Sequence, residues 1–516
     1  MKFAAILVMA VALAVDVSAL GQEEHHHDHP VPEHLGTVRF ATSCDPRLEA
    51  RFDRADALLH SFAYAAARAA FAEVLAADPH CAMALWGQAM THYHPLWEPN
   101  VDSEAELAQG AAEIAKAASL APGTPREQAY IAAMAQYYRD GPVTPPAARA
   151  RRYSEAMAGV ARDNPADDEA QIFYALSLLG VASPADHTHA NQKHASAILE
   201  PLWKKQPNHP GIAHYLIHAY DSAELAPYGL TPARAYAKIA PSAPHALHMP
   251  SHIYTRLGLW KDSVTSNVAA RVAAHAQGDV GEELHAMDYL TYALLQLGRF
   301  DEARSVAAQS QAMTSLNTAA FKIGYAANAM PVRVAVEAQD WAAATRLSPR
   351  PGSTPKTAVL VWWARAMGRS RGRLAGDADP DIAALTDCRD RLRAAGDAYG
   401  AAQADALLLS AQAWSLERRG DAAEAAARLK AAADEEDSLE KLPTTPGPIV
   451  PAREQLGELL LANHRPAEAL AAFKTALALA PHRRGALEGA IAAARLSRPA
   501  EAGRLRRELA TFDVGR

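Results

Sequence analysis

The chain has 516 residues, half of them hydrophobic, and a formal net charge of −7. That length exceeds what one compact core needs, so it implies several domains or one extended array. The mild acidic balance, with no long Lys or Arg block, argues against a nucleic-acid partner or a polybasic membrane contact.

In chain order, residues 1–19 read as an export signal. Lys2 supplies positive charge, residues 3–15 are apolar, and Val17, Ser18 and Ala19 form a small-residue cleavage site. The apolar stretch is shorter than the roughly 20 residues a bilayer span needs, and no later stretch reaches that length. The mature chain is therefore expected in the periplasm or outside the cell, without a membrane span. Residues 20–43 read as a flexible linker containing His25, His26, His27 and His29, punctuated by Pro30 and Pro32. Of the three cysteines, Cys44 and Cys81 flank the first repeat and are the candidate disulfide pair in an oxidising compartment; Cys388 is left over.

Ala, Leu, Arg and Glu are abundant in the remainder, a helix-forming composition. From residue 48 a period of about 34 residues is present. Its clearest unit, 450–483, carries Leu456, Gly457, Leu460, Ala469, Phe473, Ala476 and Pro481, and the opening unit, 48–81, places Ala67, Phe71 and Pro79 at the same offsets. Further units start at 210, 244 and 284, with an insertion around 278–281, and a weaker one starts near 325. Segments 182–194, 349–385 and 441–451 match poorly and are expected to be irregular loops or degenerate helices, the last stiffened by Pro443, Pro446, Pro448 and Pro451. Residues 498–516 are expected to cap the array.

These units resemble the tetratricopeptide-repeat family over most of 44–497. The resemblance implies an all-α, right-handed superhelical solenoid of helix-turn-helix repeats. Its first helices would line a concave groove, with unit positions 2, 5 and 9 facing inward. The HPGIAHYLIH phrase at 209–218 and the PHALHMPSH phrase at 244–252 also resemble a group of exported bacterial repeat proteins, which implies a fold and no particular activity.

In that register His214 and His218 take positions 5 and 9 of the unit from 210. His245, His248 and His252 take positions 2, 5 and 9 of the next, and His285, Asp288 and Tyr292 those of the third. Spacings of three and four put side chains on one helical face. Packed helices ~8–10 Å apart let imidazoles from neighbouring units reach a common ion. The competing reading is a polar or pH-responsive groove, but six imidazoles on one face would repel if protonated and add little to a core. An imidazole-dominated site outside the cytoplasm suits copper or zinc, with iron less favoured.

Asp288, as carboxylate ligand or base, and Tyr292 are the candidate catalytic groups, although Tyr292 and Tyr215 also suit packing. Asp221 is a candidate partner fixing a histidine tautomer. Arg333 takes the place of His252 in the Met330-Pro331 unit, where it would offer a cation to an anionic substrate or simply sit on the surface. His60 and His94 occupy equivalent points in the first two units, distant from the cluster unless the superhelix turns back. Pro250 predicts a kink within the cluster. Zinc-peptidase, serine-hydrolase, phosphate-loop and dinucleotide motifs are absent.

The expectation is an exported metalloprotein, an enzyme acting on a small organic or peptide ligand in the groove. The alternatives are a non-catalytic module for a peptide or partner protein, or a metal carrier or sensor.

Overall fold

Side-chain caps and proline starts set many of the helix boundaries. Ser103 forms a capping box with Glu106, Asp167, Asp279, Asp397 and Asp421 accept from first-turn amides, and Pro125, Pro210, Pro355 and Pro466 open their helices. The computed structural model describes residues 33–96, 103–120, 123–374 and 376–512. The export signal and the His25–His29 tract expected from the sequence lie outside the described residues.

The described residues form no strand. Their helices pair into consecutive antiparallel hairpins once Pro244–His248 and Pro250–Arg256 are counted as halves of one helix broken at the expected proline. First helices of neighbouring hairpins also touch, which stacks the hairpins into the expected all-α solenoid. Repeat chemistry is visible in the packing: the buried Phe473 ring lies so close over Gly457 that a Cβ there would stand 2.7 Å from a ring carbon.

Several expectations change. Segment 349–385 is regular, with helices Pro355–Arg371 and Asp379–Ala394 packed around buried Trp363, Met367 and Leu385 in place of the repeat signature. The insertion near 278–281 is absorbed by two long helices, Trp260–Gln277 and Val280–Gln296. Helix Pro499–Ala510 completes the last hairpin with Arg484–Ser497. Residues 34–43 are no loose linker. Leu35, Val38 and Phe40 are buried, the Thr37 amide donates to the Asn208 carbonyl at 2.9 Å, and the His34 amide donates to Ser242 Oγ at 2.8 Å. Cys44 and Cys81 are bonded, and Cys388 is a buried thiol. No helix of the described residues is long and apolar enough to cross a membrane.

The solenoid curls until distant repeats meet. Trp260 Nε1 donates to the His482 carbonyl at 2.9 Å, and the Arg484 amide donates to Gln296 Oε1 at 3.0 Å. Across this closure the proline-rich segment 439–451 lies along the inner face. Its Glu440 amide donates to the Pro184 carbonyl at 2.8 Å, and its Gly447 and Pro448 carbonyls accept from Arg333 at 3.1 and 3.2 Å. The open groove expected beside the histidines is therefore filled by the chain itself.

Arg483 ties the closure together. It is fully buried, 2.7 Å from Glu337, 2.6 Å from Glu454 and 3.1 Å from the Tyr292 hydroxyl. Removing one partner from a buried ion pair costs about 3–5 kcal/mol. Arg483→Met is expected to reduce hydrogen-exchange protection in helices Ala452–Ala462 and Arg484–Ser497 while helix Glu49–His60 keeps its own. Equal protection in the variant and parent C-terminal helices would refute the assignment.

Candidate metal centre

Three first helices deliver the six histidines. Helix Pro210–Ala219 carries His214 and His218 one turn apart, the broken helix carries His245, His248 and His252, and Val280–Gln296 carries His285. Five of them are at most 3% exposed and His218 is partly buried. Their nitrogens gather in two groups, His214, His218 and His245 in one and His248, His252 and His285 in the other. Within each group one ligand atom per residue lies within 4.8 Å of the others. The groups abut, with the His218 and His252 rings 5.8 Å apart and the His245 and His248 rings 6.1 Å apart. The register leaves a mono- or dinuclear site open; the structure gives two neighbouring triads.

The outer nitrogens decide what the inner ones can do. His214 Nδ1–H donates to the His60 carbonyl at 2.7 Å and His252 Nδ1–H to Asp221 Oδ2 at 2.9 Å. His248 Nδ1–H donates to Asn267 Oδ1 at 2.7 Å, an orientation set by the Asn267 amide donating to the Ser263 carbonyl at 2.8 Å. His245 Nδ1 stands 3.2 Å from Glu282 Oε2. With the proton on Nδ1, a neutral imidazole presents a bare lone pair at Nε2. Yet His248 Nε2 and His252 Nε2 are 3.0 Å apart, and His214 Nε2 is 3.1 Å from both His218 Nε2 and His245 Nε2.

Protonation does not relieve the His248–His252 contact. Burial, reinforced by the neighbouring imidazoles, holds His214, His218, His248 and His285 well below the ordinary imidazole value. Burial brings His252 down to about 4 despite Asp221. The His248–His252 contact is thus lone pair against lone pair, a repulsion that a cation between them converts into attraction. For metal–nitrogen bonds of about 2.0–2.1 Å, ligand nitrogens at right-angle to tetrahedral spacing stand about 2.9–3.4 Å apart. The observed separations fall in that range.

Each triad has an aromatic cover. Phe62 lies over the first, its ring 5.6 Å from His245 and 6.0 Å from His218. Tyr289 lies against the second, 4.7 Å from His248 and 5.0 Å from His252. The Tyr289 hydroxyl is 2.8 and 2.9 Å from the Pro443 and Thr445 carbonyls, which fastens segment 439–451 over the site. Lys441 of the same segment pairs with Asp221 at 2.9 Å. Burial alone would raise the Asp221 carboxyl, but Lys441 and Arg256 hold it well below the usual range, so it stays an anionic acceptor for His252.

Other expected residues are placed differently. Asp288, expected as ligand or base, pairs with fully buried Arg333 at 2.8 Å. Arg333 is therefore neither a surface group nor a free cation for substrate. Tyr292 accepts from Arg483 at the solenoid closure. Asp221 serves His252 on the following repeat. His60, expected at a distance, reaches the cluster because helix Glu49–His60 packs on Pro210–Ala219, with Gly211 against its ring where a Cβ would overlap Nδ1. His94 lies tilted against Tyr64, with ring centroids 4.5 Å apart, and donates to the Thr91 carbonyl at 2.9 Å, outside both triads. Sequence reasoning missed Glu282, Asn267, Tyr289, Phe62 and Lys441. Glu282 had a signal, since it lies three residues before His285 on the same helix face.

A third group, His60, Glu169 and His209, also has ligand atoms within 4.8 Å. Its chemistry differs. His209 Nδ1 accepts the Ile212 amide and Nε2–H donates to Glu169 Oε1 at 2.9 Å, so this ring has no lone pair to give. Burial alone would lower the His60 pKa, but Asp56 and Glu169 lift it to about 10. His60 is an imidazolium, donating to Glu169 at 3.0 Å and from Nδ1 to the Tyr215 hydroxyl at 2.9 Å. This is a buried ion cluster that positions the carbonyl serving His214.

No protein-family model matches the chain, and no curated protein does. Among solved structures it is similar to human IFIT1 in the dimer with m7Gppp-AAAA, at 11% identity over 84% of this chain and 89% of that one, with a TM-score of 0.37. It is also similar to yeast Tom70, at 13% identity over 90% and 84% with a TM-score of 0.28. Naa15/Naa10 bound to HypK-THB matches at 12% identity over 90% and 71%, with a TM-score of 0.24. These likenesses bear on nothing beyond helical fold, and the site rests on its own geometry.

Because the folded chain holds the His60 proton more tightly than a free histidine, with its ordinary value of 6.5, the resulting stabilisation is complete below pH 6.5 and is lost as pH rises through about 10. His60→Gln is expected to cost on the order of 3–5 kcal/mol near neutral pH and to flatten the decline of stability between pH 7 and 10. Urea denaturation followed by circular dichroism across that range checks it. A variant with the parent's slope would contradict the imidazolium.

Proposed function

We propose that this chain is an exported metalloenzyme whose histidine triads hold copper or zinc and which acts on a small organic or peptide molecule. The observation that carries the reading is the 3.0 Å approach of His248 Nε2 and His252 Nε2, both lone pairs, in a buried pocket. Outer carboxylate, carbonyl and amide acceptors of this kind orient ligand imidazoles and raise their basicity. Export is supported by the leader-like residues 1–19 and by the Cys44–Cys81 disulfide, a bond at home in oxidising compartments.

Segment 439–451 also forms part of the wall of a cavity of about 220 Å³, lined by Phe321, Tyr325, Leu360, Gln403, Leu407 and Leu442 among others. Arg256, Lys441 and Thr445 belong to its wall and also to the bonds that reach Asp221 and Tyr289. This chamber, which sets charged groups such as Lys356, Glu436 and Arg453 among aromatic and aliphatic walls, suits an organic ligand. The peptide-adaptor reading is weaker, since segment 439–451 occupies the inner face where a peptide would lie. A carrier or sensor would use the same ligands without turnover, and the near-complete burial of five histidines favours it as the second reading.

Untagged protein with residues 20–33 deleted, recovered by export, is expected to retain one or two equivalents of metal by elemental analysis. A His248→Ala/His252→Ala variant with parental circular dichroism is expected to lose at least half of it. Metal-free parent protein that stays metal-free after incubation with copper or zinc would reject the centre. Turnover of candidate organic substrates then separates enzyme from carrier.

A further inference from the structure

We infer that the two triads take monovalent copper, one ion each, in preference to a divalent ion. This deepens the metal reading above and rests on it.

The first argument is charge. Neither triad contains a carboxylate. The two nearest carboxylates face the outer nitrogens and are already matched: Asp221 by Arg256 at 2.9 Å and Lys441 at 2.9 Å, and Glu282 by Lys322 at 2.8 Å. Asp288, the remaining acid near the second triad, is held by Arg333. Two divalent ions would place four positive charges among acids that are already matched; two monovalent ions place two. Self-energy in a low-dielectric pocket grows as the square of the charge, so each divalent ion costs about four times as much to bury as a monovalent ion of similar size.

The second argument is coordination. Zinc sites with three protein ligands keep a fourth position for water or substrate. Here the Phe62 ring covers the first triad and the Tyr289 ring the second, while five of the six imidazoles are at most 3% exposed. A filled-shell monovalent ion is content with three nitrogens and needs no water. Three neutral donors beneath an aromatic lid meet that requirement.

The third argument is number. The ligand nitrogens cluster as three and three, and the nearest rings between the groups stand 5.8 and 6.1 Å apart. One ion cannot bond both sets at about 2 Å. Two ions side by side can, and each can exchange one electron.

The test is an anaerobic titration of the full mature chain carrying His25→Ser, His26→Ser, His27→Ser and His29→Ser, with copper(I) supplied as its bicinchoninate complex and read by loss of the chelate's absorbance. The parent is expected to withdraw about two equivalents and to keep them against a tenfold excess of zinc. His248→Ala/His252→Ala and His214→Ala/His245→Ala, each checked by circular dichroism, are expected to withdraw about one. If either variant fails to fold, the parent's stoichiometry and zinc competition decide alone. Retention of zinc with no withdrawal of copper(I), or withdrawal of a single equivalent, overturns this inference and leaves the metal reading standing. Binding of neither metal overturns both.

Discussion

The site depends on hydrogen bonds made by the imidazole nitrogens that face away from it. A neutral imidazole has one proton and one lone pair in its ring plane, so assigning the proton to Nδ1 aims the lone pair from Nε2. The acceptors come from widely separated parts of the chain. The His60 carbonyl ends the first helix, Asp221 follows His218, Asn267 lies on the second helix of the broken-helix hairpin, and Glu282 precedes His285. Three stacked first helices bring the rings together, and the same or adjacent repeats supply Asp221, Asn267 and Glu282; only the His60 carbonyl is delivered by the curl of the solenoid. Curvature, a generic property of stacked repeats, here fixes the tautomer of His214.

The same logic separates groups that distance alone treats alike. His60, Glu169 and His209 are as close as either triad. In that group every ring nitrogen is committed: His209 accepts a backbone amide on one side and donates on the other, and His60 donates from both. Carboxylates lie inside that cluster and outside the triads. An inward carboxylate pulls a proton onto the ring, whereas an outward one pulls the ring's only proton away from the centre. Placement of two or three acids thus turns otherwise similar histidine groups into a structural cation and a pair of candidate ligand sets.

The solenoid was legible from Ala67, Phe71, Ala469, Phe473 and their period because close helix pairing needs small residues under an aromatic ring, and that requirement recurs with every unit. The grouping of His214, His218, His245, His248, His252 and His285 was legible for a related reason: spacings of three and four fix a shared face once the repeat is in register. Residues whose roles depend on closure were not legible. Asp288 shares the face of His285, but the pull of Arg333, itself fastened to the Gly447 and Pro448 carbonyls, turns its carboxylate to another use. Tyr289 is one turn from His285 and escaped notice because it falls outside the consensus groove positions; only the broken helix Pro244–Arg256 brings His248 and His252 to its ring. The hairpin Pro355–Arg371 with Asp379–Ala394 could be read only as loops or degenerate helices, since Trp363 and Met367 fill its core without the recurring small-residue pattern.

Segment 439–451 links the centre to the far end of the solenoid. It is held at Asp221 by Lys441, at Tyr289 by two carbonyls and at Arg333 by two more. A net hydrogen bond contributes about 0.5–1.5 kcal/mol, and more where one partner is charged. Lifting the segment as a unit therefore costs several kcal/mol. The prolines lower the cost of keeping it closed, since a stiff chain loses less conformational freedom on docking. Stiffness also means that the segment moves as a whole when it moves at all. The anchoring of a loop from the other end of the repeat array therefore bears directly on two residues that border the triads, Asp221 and Tyr289.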